Sequence, residues 1–196
     1  MLNEKFPIRM LKRVAVMRVL ILCFLFSGCN IRAEYKSIKL DKIEDISSNI
    51  LGRPIEKIKD ESFILGSDSL FIRDTLFISE EDVSWPGLVF FDNIGDVFLV
   101  ETSWVDRNII VWAAVLSPRI KTKNQVCVGT SFSRIKPYIR FDSWKEFPDG
   151  YIAFKDSLDN RIVYSIDVGG DSYLYSSDLS LSSFPDTLKV ENVMLQ

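Results

Sequence analysis

From residue 37 to the C-terminus, apolar and polar positions alternate in short runs and do not recur at the helical spacing of three and four. Leu88-Val89-Phe90-Phe91, Val97 to Thr102, Ile109 to Leu116, Tyr151 to Phe154 and Ile162 to Asp167 read as strands. Each is bounded by Gly, Asp, Asn or Ser, which favour turns. A final strand is expected around Leu188 to Met194, after a Ser-rich loop that ends at Pro185-Asp186. No strongly periodic helix longer than about three turns is visible.

Two segments look like copies of each other. Leu51-Gly52-Arg53-Pro54-Ile55-Glu56-Lys57-Ile58-Lys59 aligns without gaps on Val128-Gly129-Thr130-Ser131-Phe132-Ser133-Arg134-Ile135-Lys136. In both, Gly ends an extended segment and Pro54 or Ser131 suits the start of a helix. The pairs Ile55/Ile58 and Phe132/Ile135 then share a helical face, and Pro137 is expected to stop the second helix. Downstream, Trp85-Pro86-Gly87-Leu88-Val89-Phe90-Phe91 parallels Pro148-Asp149-Gly150-Tyr151-Ile152-Ala153-Phe154. Polar turns at Asp92–Asp96 and Lys155–Arg161 follow, each leading into a second strand. The expected fold class is α+β, predominantly antiparallel β. Two related helix-plus-hairpin units, residues 41–116 and 117–196, would pack as one body, because neither sheet alone buries enough surface.

The first 28 residues have a different pattern. Lys5, Arg9, Lys12, Arg13 and Arg18 form a basic stretch opposed only by Glu4, and an apolar run follows from Val19 to Phe26. That run falls far short of the roughly 20 residues that span a bilayer as a helix. It has the layout of an export signal, with Met10 a second candidate start. Leu25-Phe26-Ser27-Gly28-Cys29 resembles the lipobox of bacterial lipoproteins, although Phe26 replaces the usual aliphatic residue. The resemblance implies cleavage before Cys29 and attachment of diacylglycerol and further acyl groups such as palmitate to that residue. One acyl chain anchors marginally and two or three anchor firmly, at about 0.8 kcal/mol per buried methylene. Residues 29–36 would form the lipidated tether and 37–196 a single globular domain. Asn30 lacks the aspartate that retains enterobacterial lipoproteins at the inner membrane, so an outer-membrane location, on its periplasmic or surface face, is the expectation.

Removing residues 1–28 leaves 19 basic and 26 acidic side chains, a net charge of −7. Such a chain has no electrostatic footprint for nucleic acid. Of the three cysteines, Cys23 leaves with the signal and Cys29 is lipidated, so Cys127 has no partner for a disulfide. Set between Val126 and Val128, Cys127 reads as a small apolar side chain.

The chain contains no histidine, which removes Ser-His-Asp and Cys-His catalysis and the usual zinc ligand sets. No metal site or cofactor is expected. Asp92, Asp96, Asp156 and Asp159 flank turns, where carboxylates bond to nearby backbone. Glu80-Glu81-Asp82 reads as a solvated acidic loop, and Asp167-Val168-Gly169-Gly170-Asp171 lacks calcium-loop spacing. Ser133 and Lys136 could meet at helical spacing, but an exposed lysine keeps its proton. Gly129-Thr130-Ser131 lacks the pattern of a phosphate loop. Trp85, Trp104, Trp112, Trp144 and the many Phe read mostly as core. Trp144, between Ser143 and Lys145, is the candidate interaction residue.

Leu116-Ser117-Pro118-Arg119-Ile120-Lys121-Thr122-Lys123, followed by Val126-Cys127-Val128-Gly129-Thr130-Ser131, looks like a pattern of exported bacterial proteins. In that pattern a Ser-Pro strand and a Lys-Thr turn lead into a short helix. Similar helix-then-hairpin units occur in the β-lactamase inhibitor protein and in small outer-membrane assembly lipoproteins. The resemblance implies protein binding and carries over no site residue. The expected function is therefore non-catalytic: a lipid-anchored envelope domain that binds a protein partner. The alternatives are a binder of a glycan or peptide in a groove between the two units, and a carboxylate-based envelope hydrolase.

Overall fold

The computed structural model describes residues 37–79, 81–147, 150–168 and 180–196, without the side chains of 141–147 and 183. Lys36–Gln196 is one compact body. Its strands are β1 (Ile38–Lys39), β2 (Phe63–Leu65), β3 (Asp68–Ile78), β4 (Ser84–Phe91), β5 (Asp96–Thr102), β6 (Ile110–Val115), β7 (Ile139–Phe147), β8 (Tyr151–Asp156), β9 (Ile162–Asp167) and β10 (Val190–Leu195). They form one sheet in the order β1-β2-β3-β4-β5-β6-β10-β9-β8-β7, antiparallel throughout except for β1 with β2. The described helices are short: α1 (Ile43–Asn49), α2 (Ile55–Lys59) and α3 (Phe132–Ile135).

This architecture corrects the expected fold class. The described residues form a ten-stranded mixed sheet, not an α+β assembly of two helix-plus-hairpin units. Helices of seven, five and four residues are too short to form a layer of their own. The sheet is continuous across residues 116 and 117, where the two expected units meet. β6 pairs with β10 through Val193↔Val115, Met194↔Ala114 and Leu195↔Ala113, so a single sheet runs through both.

The copied segments mark something more local. Gly52 and Gly129 both take positive φ, +76° and +81°, where a side chain is strained. Gly52 N–H donates to Ile110 and Gly129 N–H to Val190, while Ile110 N–H returns to Arg53 and Val190 N–H to Thr130. Pro54 bridges Ile109 and Ser131 bridges Lys189 in the same antiparallel sense. Each segment thus ties the start of a short helix to the first residue of a strand, β6 or β10. The helix of the second segment ends at Ile135, two residues before Pro137, and a 3-10 turn, Lys136–Tyr138, follows. The strand alignment also shifts by one residue. Leu88, Phe90 and Asp92 correspond in burial to Ile152, Phe154 and Asp156, and a one-residue slip would have put them on the wrong face.

One apolar cluster joins the helices to one face of the sheet. Ile43, Ile46, Ile55, Ile58, Phe132 and Ile135 are buried together with Leu88, Phe90, Phe98, Val100, Val115, Ile152, Phe154, Val193 and Leu195. Phe90 stacks on Phe98 at 4.2 Å and meets Phe63 edge-on at 5.3 Å. In the other half, Phe132, Phe154 and Phe184 contact one another at 5.5–5.8 Å. At the start of α1, Asp45 accepts the backbone N–H of Asp41 and Lys42 at 2.9 and 2.8 Å.

Two turn aspartates reach inward. Asp92 Oδ1 accepts Ile94 and Gly95 N–H, and its other oxygen binds the Arg119 guanidinium. Burial works against the Asp92 carboxylate, but Arg119 and the two N–H groups hold its pKa below the usual value. Asp156 Oδ1 accepts Leu158 and Asp159 N–H, and its Oδ2 accepts the fully buried Tyr164 hydroxyl at 2.6 Å and Asn124 at 3.3 Å. Burial first, and then the bond to Asp156, push the Tyr164 pKa above its ordinary 10.0. A raised folded-state pKa means stability that is complete below the unfolded value and is lost as pH rises above it. Tyr164→Phe should therefore cost about 1 kcal/mol in urea unfolding near neutral pH. The deficit should shrink as the wild type is taken above pH 10.0. A deficit independent of pH would contradict this role.

Candidate functional site

The described tryptophans lie outside the core. Trp85 begins β4, Trp104 follows β5 and Trp112 lies early in β6, and antiparallel pairing brings these three positions to the same end of the sheet. Trp85 and Trp112 are half-buried and Trp104 is 69% exposed.

The strand register explains the arrangement. Side chains of successive residues alternate between faces. Leu88, Phe90, Phe98 and Val100 take the helix-packed face, so Trp85, Gly87, Val89, Leu99, Glu101 and Trp112 take the other. Thr75, Gly87, Glu101 and Trp112 stand side by side across four strands. Phe77 pairs with Trp85 across β3 and β4, their rings stacked at 6.3 Å. The Phe77 ring also lies over Gly87: a β-carbon there would collide with it and sit 2.5 Å from the Val100 carbonyl oxygen. Gly87 is thus the space into which the aromatic stack settles.

Glu101 fixes the tryptophan. Its Oε2 accepts the Trp85 indole N–H at 2.9 Å. Partial burial pushes the Glu101 carboxyl above its ordinary 4.5, and the indole bond only partly offsets this. Beyond Trp85 opens a cavity of about 490 Å³ lined by Ser79, Glu81, Val83, Trp85 and Trp104. On the face opposite Trp85, β3 carries Leu76 and Ile78, 66% and 67% exposed. Among the described residues no strand pairs with the outer edge of β3 beyond Leu70. A second cavity, about 420 Å³ at the opposite end of β4, is lined by Ser67, Asp68, Ser69, Phe71, Asp92, Asn93 and Ile94. Arg119 holds two of those carboxylates, Asp68 and Asp92. Both cavities are built from residues 67–104, and neither lies between residues 41–116 and 117–196.

The positions expected from sequence fare differently. Cys29 lies outside the described residues, and Trp144 belongs to β7 with its side chain outside them. Cys127 is half-buried, its thiol 3.6 Å from the Thr130 hydroxyl. Ser133 and Lys136 do not form a dyad: Lys136 binds Asp186 at 2.5 Å and lies over the Phe132 ring, while Ser133 contacts Ser131. No group of three or more His, Cys, Asp or Glu side chains able to hold a metal occurs among the described residues. The Trp85–Trp104–Glu101 grouping escaped sequence reading, although the alternation from Trp85 to Phe91 and from Val97 to Thr102 carried its signal.

A raised carboxyl pKa makes the folded state favour the proton, so Glu101 weakens stability as pH climbs through 4.5 and beyond. Glu101→Gln keeps an acceptor for the indole and has no charge to desolvate. Thermal unfolding should find this variant at least as stable as wild type at pH 7 and equal to it near pH 3. A variant clearly less stable at pH 7 would mean that the charge is compensated.

No protein-family model matches the chain, and no curated protein matches it significantly. Among solved structures, the uncharacterized protein yfeY from Escherichia coli is similar, with a TM-score of 0.50 and 12% sequence identity. The match covers 82% of this chain and 99% of that one. At that identity the likeness concerns the fold alone.

Proposed function

We propose that this chain is a lipid-anchored lipoprotein of the bacterial cell envelope whose globular domain is a non-catalytic module that binds a protein partner. The observation that carries the proposal is the convergence of Trp85, Trp104 and Trp112 outside the core at one end of the sheet. Tryptophans anchor protein interfaces because they remove much apolar area from water and keep one polar group for orientation. The anchor reading rests on the basic stretch, the apolar run and Leu25-Phe26-Ser27-Gly28-Cys29. Among the described residues no helix is long and apolar enough to cross a membrane.

The chemistry of the carboxylates also favours binding over catalysis. An acid–base pair needs two titratable groups facing one cleft with separated acidities. Of the described carboxylates with shifted pKa, Asp41, Asp92 and Asp159 are bound to Lys39, Arg119 and Arg161, and Glu101 to an indole.

Chemical crosslinking in native membranes, followed by mass spectrometry, tests the proposal. One dominant protein should crosslink to the wild-type chain and be lost in Cys29→Ser, with the variant leaving the membrane fraction. Wild-type chain without any protein partner, or Cys29→Ser still firmly in membranes, would contradict it.

A further inference from the structure

The cavity beside Trp85 has walls of a particular chemistry. Trp85 and the 69% exposed Trp104 line it together with Val83, Ser79 and Glu81, and the Ser79 hydroxyl accepts the Glu81 and Val83 N–H groups of the turn. On the indole edge of Trp85 stands a second carboxylate, Glu101. Among the described residues, lysine and arginine are missing from the lining; even Arg107, three residues after Trp104, does not contribute. Among the described residues, neither Glu81 nor Glu101 has an ion-pair partner. Arg53, Lys59, Arg73, Arg119, Lys136 and Arg161 all hold carboxylates elsewhere.

Each of these features discriminates among guests in the same direction. The face of an indole carries partial negative charge and attracts cations within about 6 Å of its centre. An indole N–H that donates to a carboxylate makes its ring richer in electrons. A purely apolar guest would take water from Glu81 and return nothing, and an anionic guest would meet like charge. A lysine or arginine satisfies both surfaces: its aliphatic stem lies along the indoles and its charged end reaches the carboxylate. Outside the first 28 residues the chain carries a net charge of −7, which steers a basic partner toward it.

We propose that the Trp85–Trp104 cavity is the receptor for a basic side chain, lysine or arginine, presented by the partner protein. This deepens the binding function proposed above and rests on it. Glu81 and the two indoles touch the cation. Glu101 is a positioning residue, holding the Trp85 ring in orientation through its N–H.

The full chain, in detergent micelles with its tryptophans labelled with nitrogen-15, is titrated with tetralysine while the indole N–H signals are followed. Tetraglutamate and tetralysine acetylated on its side chains serve as controls. Tetralysine should shift the Trp85 and Trp104 signals saturably and more weakly as salt is raised, and both controls should leave them in place. Trp104→Ala or Glu81→Gln, changes on an exposed surface that leave the core intact, should weaken the response about tenfold. No shift, an equal shift with acetylated peptide, or an unchanged response in both variants would overturn the basic-side-chain proposal. If that happens while membrane crosslinking still captures a protein partner, the binding function stands and only its cationic contact falls.

Discussion

The pairing of β6 with β10 is the constraint on which the rest of this molecule depends. It joins residues some 80 positions apart, Ala113 with Leu195 and Val115 with Val193, and so turns two strand meanders into one sheet. Without it each half would keep an unpaired strand and an apolar face that its short helical segments could not cover. With it, Val115 and Val193 belong to the same buried cluster as Ile55 and Phe132. The two Gly-centred segments support this seam from either side, since Gly52 and Gly129 donate to the first residues of β6 and β10 respectively.

The seam also decides where function can be placed. Its register sends Val100, Ala113 and Leu195 inward, and therefore Glu101 and Trp112 outward. The two turn aspartates that go inward are bound: Asp92 to Arg119, and Asp156 to Tyr164 and Asn124. Buried charge is tolerated when it is hydrogen-bonded, and these turn aspartates meet that condition. Glu101 differs, because the single bond it makes among the described residues is to an aromatic side chain on an open surface. A carboxylate kept there, partly stripped of water, serves the surface and not the core.

Much of this was legible before any coordinates. The alternation places β5, β6, β8 and β9 within a residue or two and finds the second half of β4, and the Gly52 and Gly129 segments identify a recurring local element. The layer they build was not legible. Helix starts at Pro54 and Ser131 suggested helices that could pair with hairpins, yet they run for five and four residues. β3 was missed because Arg73 and Asp74 interrupt its alternation, and Leu76 and Ile78 are apolar on a surface. The tryptophans were read mostly as core because large aromatic residues usually are. Only register shows that Trp85 and Glu101 share the face turned away from the helices. β10 ends at Leu195, and its pairing with β6 depends on contacts between distant parts of the chain, to which local pattern is blind.

The most direct measurement is photo-crosslinking in living cells, with a photoreactive phenylalanine at Trp104 or at Ile94. Both positions are exposed, 69% and 77%, and they lie at opposite ends of the sheet. A specific protein adduct formed from position 104 and not from position 94 is the result that follows if the tryptophan end is the contact surface. Adducts from position 94 alone, or from neither, would contradict it.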